Sequence, residues 1–189
     1  MNQPYKIAVS GSAEGVCESC GYQKAYEVGR EIAKKGAILV NGATTGIPLA
    51  AAKGAKSANG FVVGFSPAIS KKEHIKKYHL PLKYLDFVVY TGFNYSGRNL
   101  ILTRSADAVI VVCGRMGTLN EFTAAFEDGK IIGVLLHSGG VSDEIEKIIK
   151  IAKKGRGRVI FDDDPKRLVE KVIEAILEDE RINFHGKAS

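Results

Sequence analysis

The sequence is poor in the features that mark secreted, membrane-spanning and metal-binding chains. Three cysteines, an odd number, argue against a secreted disulfide framework. The longest uninterrupted apolar run, Ala108–Cys113, is far short of the roughly 20 residues a helix needs to cross a bilayer. The opening residues MNQPYKIAVSG lack the charged start and apolar stretch of a signal peptide, so the expected compartment is the cytoplasm. His74, His79, His137 and His185 show no ligand spacing with one another or with the cysteines, and no metal is expected. Cys17 and Cys20 form a single C-x-x-C, read first as ordinary small residues near a loop and otherwise as a redox pair or half a zinc site; Cys113, on the same sheet edge, adds only a third sulfur. Internal repeats and low-complexity segments are also missing.

The charge balance is +6. Its basic residues gather at Lys71, Lys72, Lys76 and Lys77, and again at Lys150, Lys153, Lys154, Arg156 and Arg158. Such clusters are solvated helix faces or a long-range attraction for anions. No aromatic residues alternate with them as a nucleic-acid stacking platform requires, so nucleic acid is not the expected partner.

What is present is an alternation of short apolar runs with amphipathic stretches. Lys6–Ser10, Ala37–Val40, Phe61–Phe65, Asp86–Tyr90, Ala108–Val112, Ile131–Leu136 and Val159–Phe161 read as strands. Helices are expected at 22–35, 46–57, 94–105, 118–126 and 143–153. A last helix has Asp164 as its cap, Pro165 as its first residue, and an end near Leu177. Residues 68–82 read as irregular, and 179–189 as a poorly ordered tail. The expectation is one domain over residues 1–178. It is a Rossmann-like, doubly wound, mostly parallel α/β sheet of about seven strands with helices on both faces.

Such sheets bind ligands beyond the carboxyl ends of their strands. That rule selects Gly11, Ser12, Gly42, Thr45 and Gly46 after the first two strands. It also selects the loop Gly114, Arg115, Met116, Gly117 and Thr118 after the fifth. A buried strand running through a glycine loop into a helix start offers free N–H groups and the positive end of a helix dipole to a phosphate. Glu121 lies one turn into that helix. Arg98, followed by Asn99, is placed to clamp a phosphate or to orient a carboxylate such as Glu121.

The segment SGRNLILTRSADAVIVVCGRMGTLNEF resembles the core of the family long mislabelled "lysine decarboxylase-like". That family includes the lonely-guy (LOG) cytokinin-activating phosphoribohydrolases and a molybdenum cofactor carrier branch. VNGATTGIPLAAAKGAKSANGFVVGFSP is similar to its second glycine segment, and the resemblance spans roughly residues 5–178. The family's loop is G-G-x-G-T-x-x-E. Here Gly114, Gly117, Thr118 and Glu121 match it. Arg115 stands at the second glycine, Cys113 where proline is common, and Asn99 where the cytokinin enzymes carry lysine.

The resemblance implies a nucleoside 5′-monophosphate phosphoribohydrolase. In that reading Glu121 and Arg98 are catalytic, Gly114, Gly117 and Thr118 hold the 5′-phosphate, and no cofactor is needed. The alternative is a non-catalytic nucleotide or molybdenum-cofactor carrier on the same fold, and in either case the resemblance implies a homodimer or higher homo-oligomer. Decarboxylation of lysine is not expected, because nothing in the chain marks a pyridoxal phosphate site.

Overall fold

A computed structural model describes residues 3–15, 17, 19–152 and 157–185. Lys153, Lys154 and Arg156 of the second basic cluster fall outside the described residues.

The chain alternates strands β1 (Lys6–Ser10), β2 (Ile38–Asn41), β3 (Val62–Ser66), β4 (Phe87–Tyr90), β5 (Ala108–Val112), β6 (Ile131–Leu135) and β7 (Arg158–Asp162) with helices. The helices are α1 (Ser19–Lys34), α2 (Gly46–Ser57), α3 (Lys71–Lys76), α4 (Asn94–Ser105), α5 (Met116–Glu127), α6 (Ile145–Ala152) and α7 (Pro165–His185). All seven strands are parallel, in the order β4-β3-β2-β1-β5-β6-β7. The order reverses between β1 and β5, the switch point at which a Rossmann-like sheet opens a crevice.

Successive strand residues face opposite sides of the sheet, and here both sides are covered. Ile7, Val9, Ile110 and Val112 pack with α1, α2 and α7 through Val28, Ile32, Ala51, Leu168 and Val172. Ala8, Val109 and Val111 pack with α4, α5 and α6 through Leu102, Phe122 and Ile145. This two-sided burial explains why the strands read as continuous apolar runs.

The structure moves several expected boundaries. Residues 68–82 are not wholly irregular, because they contain α3. Ser70 caps that helix by accepting the Glu73 N–H, and His74 is fully buried beneath it. The region expected as a helix over 143–153 begins as a 3-10 turn at Gly140–Glu144, before α6. α5 starts two residues before Thr118, and α1 three before Tyr22. α7 runs on to His185 rather than ending near Leu177. Its start is as expected, with the Asp164 carboxylate accepting the Arg167 N–H at 2.8 Å.

Two contacts fix helix positions and give testable outcomes. α1 and α2 cross so closely that a Cβ on Gly29 would lie 1.9 Å from the Ala51 carbonyl oxygen, and one on Gly54 would lie 1.9 Å from that of Tyr26. Alanine at a helix interior is worth about 1 kcal/mol over glycine. Forcing two backbones apart costs about 1–3 kcal/mol, so Gly29→Ala is expected to destabilise in denaturant melts.

Asp162, at the end of β7, is buried. It accepts from Arg167 and Lys171 of α7 and from the Asp164 N–H. Its bond to Arg167 is the largest cause holding the carboxyl well below the usual carboxylate range. A lowered folded pKa stabilises above the unfolded value near 4, and that stability is lost as pH falls further. Asp162→Asn is therefore expected to cost about 1 kcal/mol at pH 7. Melts across pH should show the gap to wild type closing below about pH 4.

Candidate functional site

At the β1/β5 switch point lies a cavity of about 570 Å³. Of the residues singled out from the sequence, Gly11, Ser12, Gly42, Thr45, Arg98, Asn99, Arg115, Gly117, Thr118 and Glu121 line it. Three do not. Gly46 borders a more open neighbouring groove, which also carries Lys53, Lys83, Tyr22 and Tyr84. Gly114 has φ +108°, and a Cβ there would lie 2.5 Å from Thr118. Its carbonyl accepts the Val141 N–H, so it shapes the loop without lining the cavity. Met116 opens α5 with its side chain 77% exposed. Val9, Ala13, Glu14, Thr44, Pro48, Tyr78, His79, Leu80 and Tyr95 complete the wall without having been signalled by the sequence.

Three helices begin at this cavity: α2 behind Thr45, α4 with Tyr95, Arg98 and Asn99, and α5 with Gly117, Thr118 and Glu121. None has a side-chain cap, and none carries an acidic residue in its first turn. The cap positions, Thr45, Phe93 and Arg115, leave the first-turn N–H groups without side-chain acceptors. Elsewhere the chain does cap its helices, as at Ser70 and Asp164. Backbone carbonyls already take the Ile47 N–H of α2 (Ser12, 2.9 Å) and the Asn94 N–H of α4 (Pro67, 3.2 Å), so the start of α5, with Gly117 and Thr118 at the cavity, is the one that favours a negatively charged occupant.

Behind this end sits a buried polar cluster. Arg98 Nη1 donates to Glu121 Oε1 at 3.0 Å, and the Ser10 hydroxyl donates to Oε2. The Asn99 amide, oriented as its neighbours require, donates to Tyr95 O and to Glu121 Oε1, both at 2.9 Å. Burial pushes the Glu121 carboxyl above its ordinary range, against the pull of Arg98 and Ser10. Burial likewise lowers the Arg98 guanidinium, against the pull of Glu121. Gly42 is what admits Arg98, since a Cβ there would lie 2.2 Å from Nη1. Arg98 Nε is buried without a partner.

Arg115 reaches across to the loop after β1, where Nη1 donates to the Glu14 carbonyl at 3.1 Å. The same loop is held covalently. Cys17 is disulfide-bonded to Cys113, 96 residues away and next to Gly114. The C-x-x-C is therefore not a pair: Cys17 is joined to the end of β5, and Cys20 is a free, exposed thiol. Among the described residues no cluster of three or more His, Cys, Asp or Glu side chains is placed to hold a metal. Among them, too, no helix is long and apolar enough to cross a membrane.

A parallel sheet of this strand order, with its cavity at the switch point, defines a Rossmann-like protein. The chain belongs to the SLOG cluster4 family, whose model matches residues 4–169. It is 38% identical over 130 residues to an uncharacterised protein of Archaeoglobus fulgidus, covering 69% of this chain and 79% of that one. The crystal structure of TM1055 is similar, with a TM-score of 0.74 and 28% identity over 92% of this chain and 99% of that one. The molybdenum cofactor binding protein of the phototrophic bacterium Rippkaea orientalis superposes with a TM-score of 0.77. It is 25% identical, over 93% of this chain and 98% of that one.

Proposed function

We propose that this protein binds a phosphorylated small molecule, a nucleoside monophosphate or a pterin phosphate of the molybdenum-cofactor type, as a binding or carrier protein. The observation that carries this reading is the start of α5, without a side-chain cap, opening on the 570 Å³ cavity beside Arg98 and Arg115. The ligand's phosphate sits against the N–H groups of Gly117 and Thr118, with Arg98 and Arg115 supplying positive charge. The likeness to the Rippkaea protein supports a pterin cargo. Glu121 fits a holding role, because both of its oxygens already accept hydrogen bonds from the chain.

One observation favours a second reading, a phosphoribohydrolase: Glu121 nonetheless borders the cavity, with its carboxyl raised by burial. There water would add at C1′ of the ribose as the glycosidic C–N bond breaks. The base would leave with a proton, giving free base and ribose 5-phosphate. Glu121 would stabilise the oxocarbenium-like charge or take the proton from water, and Arg98 would position it.

In both readings the protein is cytoplasmic, and the Cys17–Cys113 bond is shielded from cellular thiols because both residues are buried. A homodimer or higher homo-oligomer is part of the proposal.

The test is incubation with a panel of nucleoside 5′-monophosphates and pterin phosphates, with binding and free base both measured. Saturable binding without base release is the result expected of a carrier. Base release that disappears in Glu121→Ala would establish the hydrolase instead. Absence of binding across nucleotides and pterin phosphates would overturn both.

A further inference from the structure

The cavity has an aromatic corner that the phosphate chemistry does not use. Tyr95 stands in the first turn of α4, and Arg98 Cζ is 6.0 Å from its ring centroid. Tyr78 follows α3 and meets Tyr95 edge to face, with centroids 5.7 Å apart and planes at 84°. The Tyr78 hydroxyl donates to Asn94 Oδ1 at 2.5 Å, which fixes the ring to the start of α4. The segment bearing Tyr78 is anchored rather than draped. Buried His74 bonds Ser66 Oγ at 2.8 Å and the Pro81 carbonyl at 3.2 Å, and the Leu80 N–H donates to the His74 carbonyl.

Neither ring serves the core: Tyr95 is 46% exposed, Tyr78 is half-buried, and both line the cavity. Two tyrosines held at fixed angles, beside a guanidinium and next to the helix starts, suit a ligand that is flat at one end and anionic at the other. A sugar phosphate or a polyphosphate would leave these faces wet.

We infer that Tyr78 and Tyr95 are specificity-determining residues that hold a flat heteroaromatic ring, a purine or a pterin, whose phosphate lies at the helix starts. This rests on the binding reading above and assigns the residues that select the ligand's ring. The ring packs on Tyr95 and against Tyr78, and the phosphate supplies the remaining affinity.

Calorimetric titrations with AMP and with ribose 5-phosphate separate the two contributions, since these share the phosphoribosyl group and differ only in the ring. AMP is expected to bind the wild-type protein about tenfold or more tightly than ribose 5-phosphate. Tyr95→Leu should remove most of that difference while leaving ribose 5-phosphate affinity unchanged, and Tyr95→Phe should keep it. Tyr78→Phe, which deletes only the bond to Asn94, should lower AMP affinity by a smaller factor. Thermal melts of each variant check that it is folded. Equal binding of AMP and ribose 5-phosphate by the wild type would overturn this inference while leaving the phosphate site standing. So would a Tyr95→Leu variant that loses both ligands equally. If neither ligand bound, and a pterin phosphate did not bind either, the binding reading would fall, and this inference with it.

Discussion

Arg98→Met is expected to destabilise the protein by about 3–5 kcal/mol, measured by denaturant unfolding at pH 7. The variant keeps much of the side chain's volume but strands Glu121, a buried carboxylate whose cation lay 3.0 Å away. Breaking one side of a buried pair costs more than the pair contributes, because the survivor keeps its desolvation penalty without compensation. Adding Glu121→Gln to Arg98→Met removes the stranded charge and should recover much of the loss. Recovery in the double variant, not the single loss, identifies the ion pair as the cause. An unchanged unfolding midpoint in Arg98→Met would contradict the pairing. The fold depends on this pair more than on its surface salt bridges: Lys147 with Glu144, for instance, is open to solvent and screened by salt.

Reduction of the Cys17–Cys113 bond should be nearly as costly. The cross-link closes a loop of 96 residues, and the loop-entropy account assigns about 4–5 kcal/mol to a loop of that length. Cys113→Ala should match the effect of reductant, and reductant should then have no further effect on the variant. Thiol titration of the unfolded, unreduced chain should find Cys20 alone reactive, and all three cysteines after reduction. Unfolding midpoints that do not change with reductant, together with three free thiols from the outset, would contradict the bond. Because Cys17 follows the loop that carries Ala13 and Glu14 at the cavity rim, reduction is also expected to weaken ligand binding.

The strands and their parallel arrangement were legible because both sheet faces are buried. Runs such as Ala108–Val112 therefore carry no polar alternation to confuse them. The glycine loop and its partners were legible because a strand running into Gly114 and a helix has few other uses. The start of α5 was not. Its cap position is Arg115, in an extended conformation and without a side-chain cap, so the usual Ser, Thr or Asp signal is missing. Starting the helix at Met116 turns that side chain to solvent, and this is why it does not line the cavity.

α3 was hidden because a six-residue, lysine-rich helix has no apolar periodicity. It is held by the Ser70 cap and the buried His74. Tyr78, His79 and Leu80 belong to the segment that follows it, and nothing local in the sequence ties them to a site built largely from strand ends. The partner of Cys17 stands just past the end of the neighbouring strand, beyond any spacing rule. Only the placement of β5 beside β1 brings the ends of those strands together.

Parallel titration of AMP and adenosine, which differ only by the phosphate, tests most directly the proposed selection of a phosphate at the start of α5. The expected result is AMP binding at least about tenfold tighter than adenosine, with the difference shrinking as salt rises. Equal affinity for the two, insensitive to salt, would contradict it.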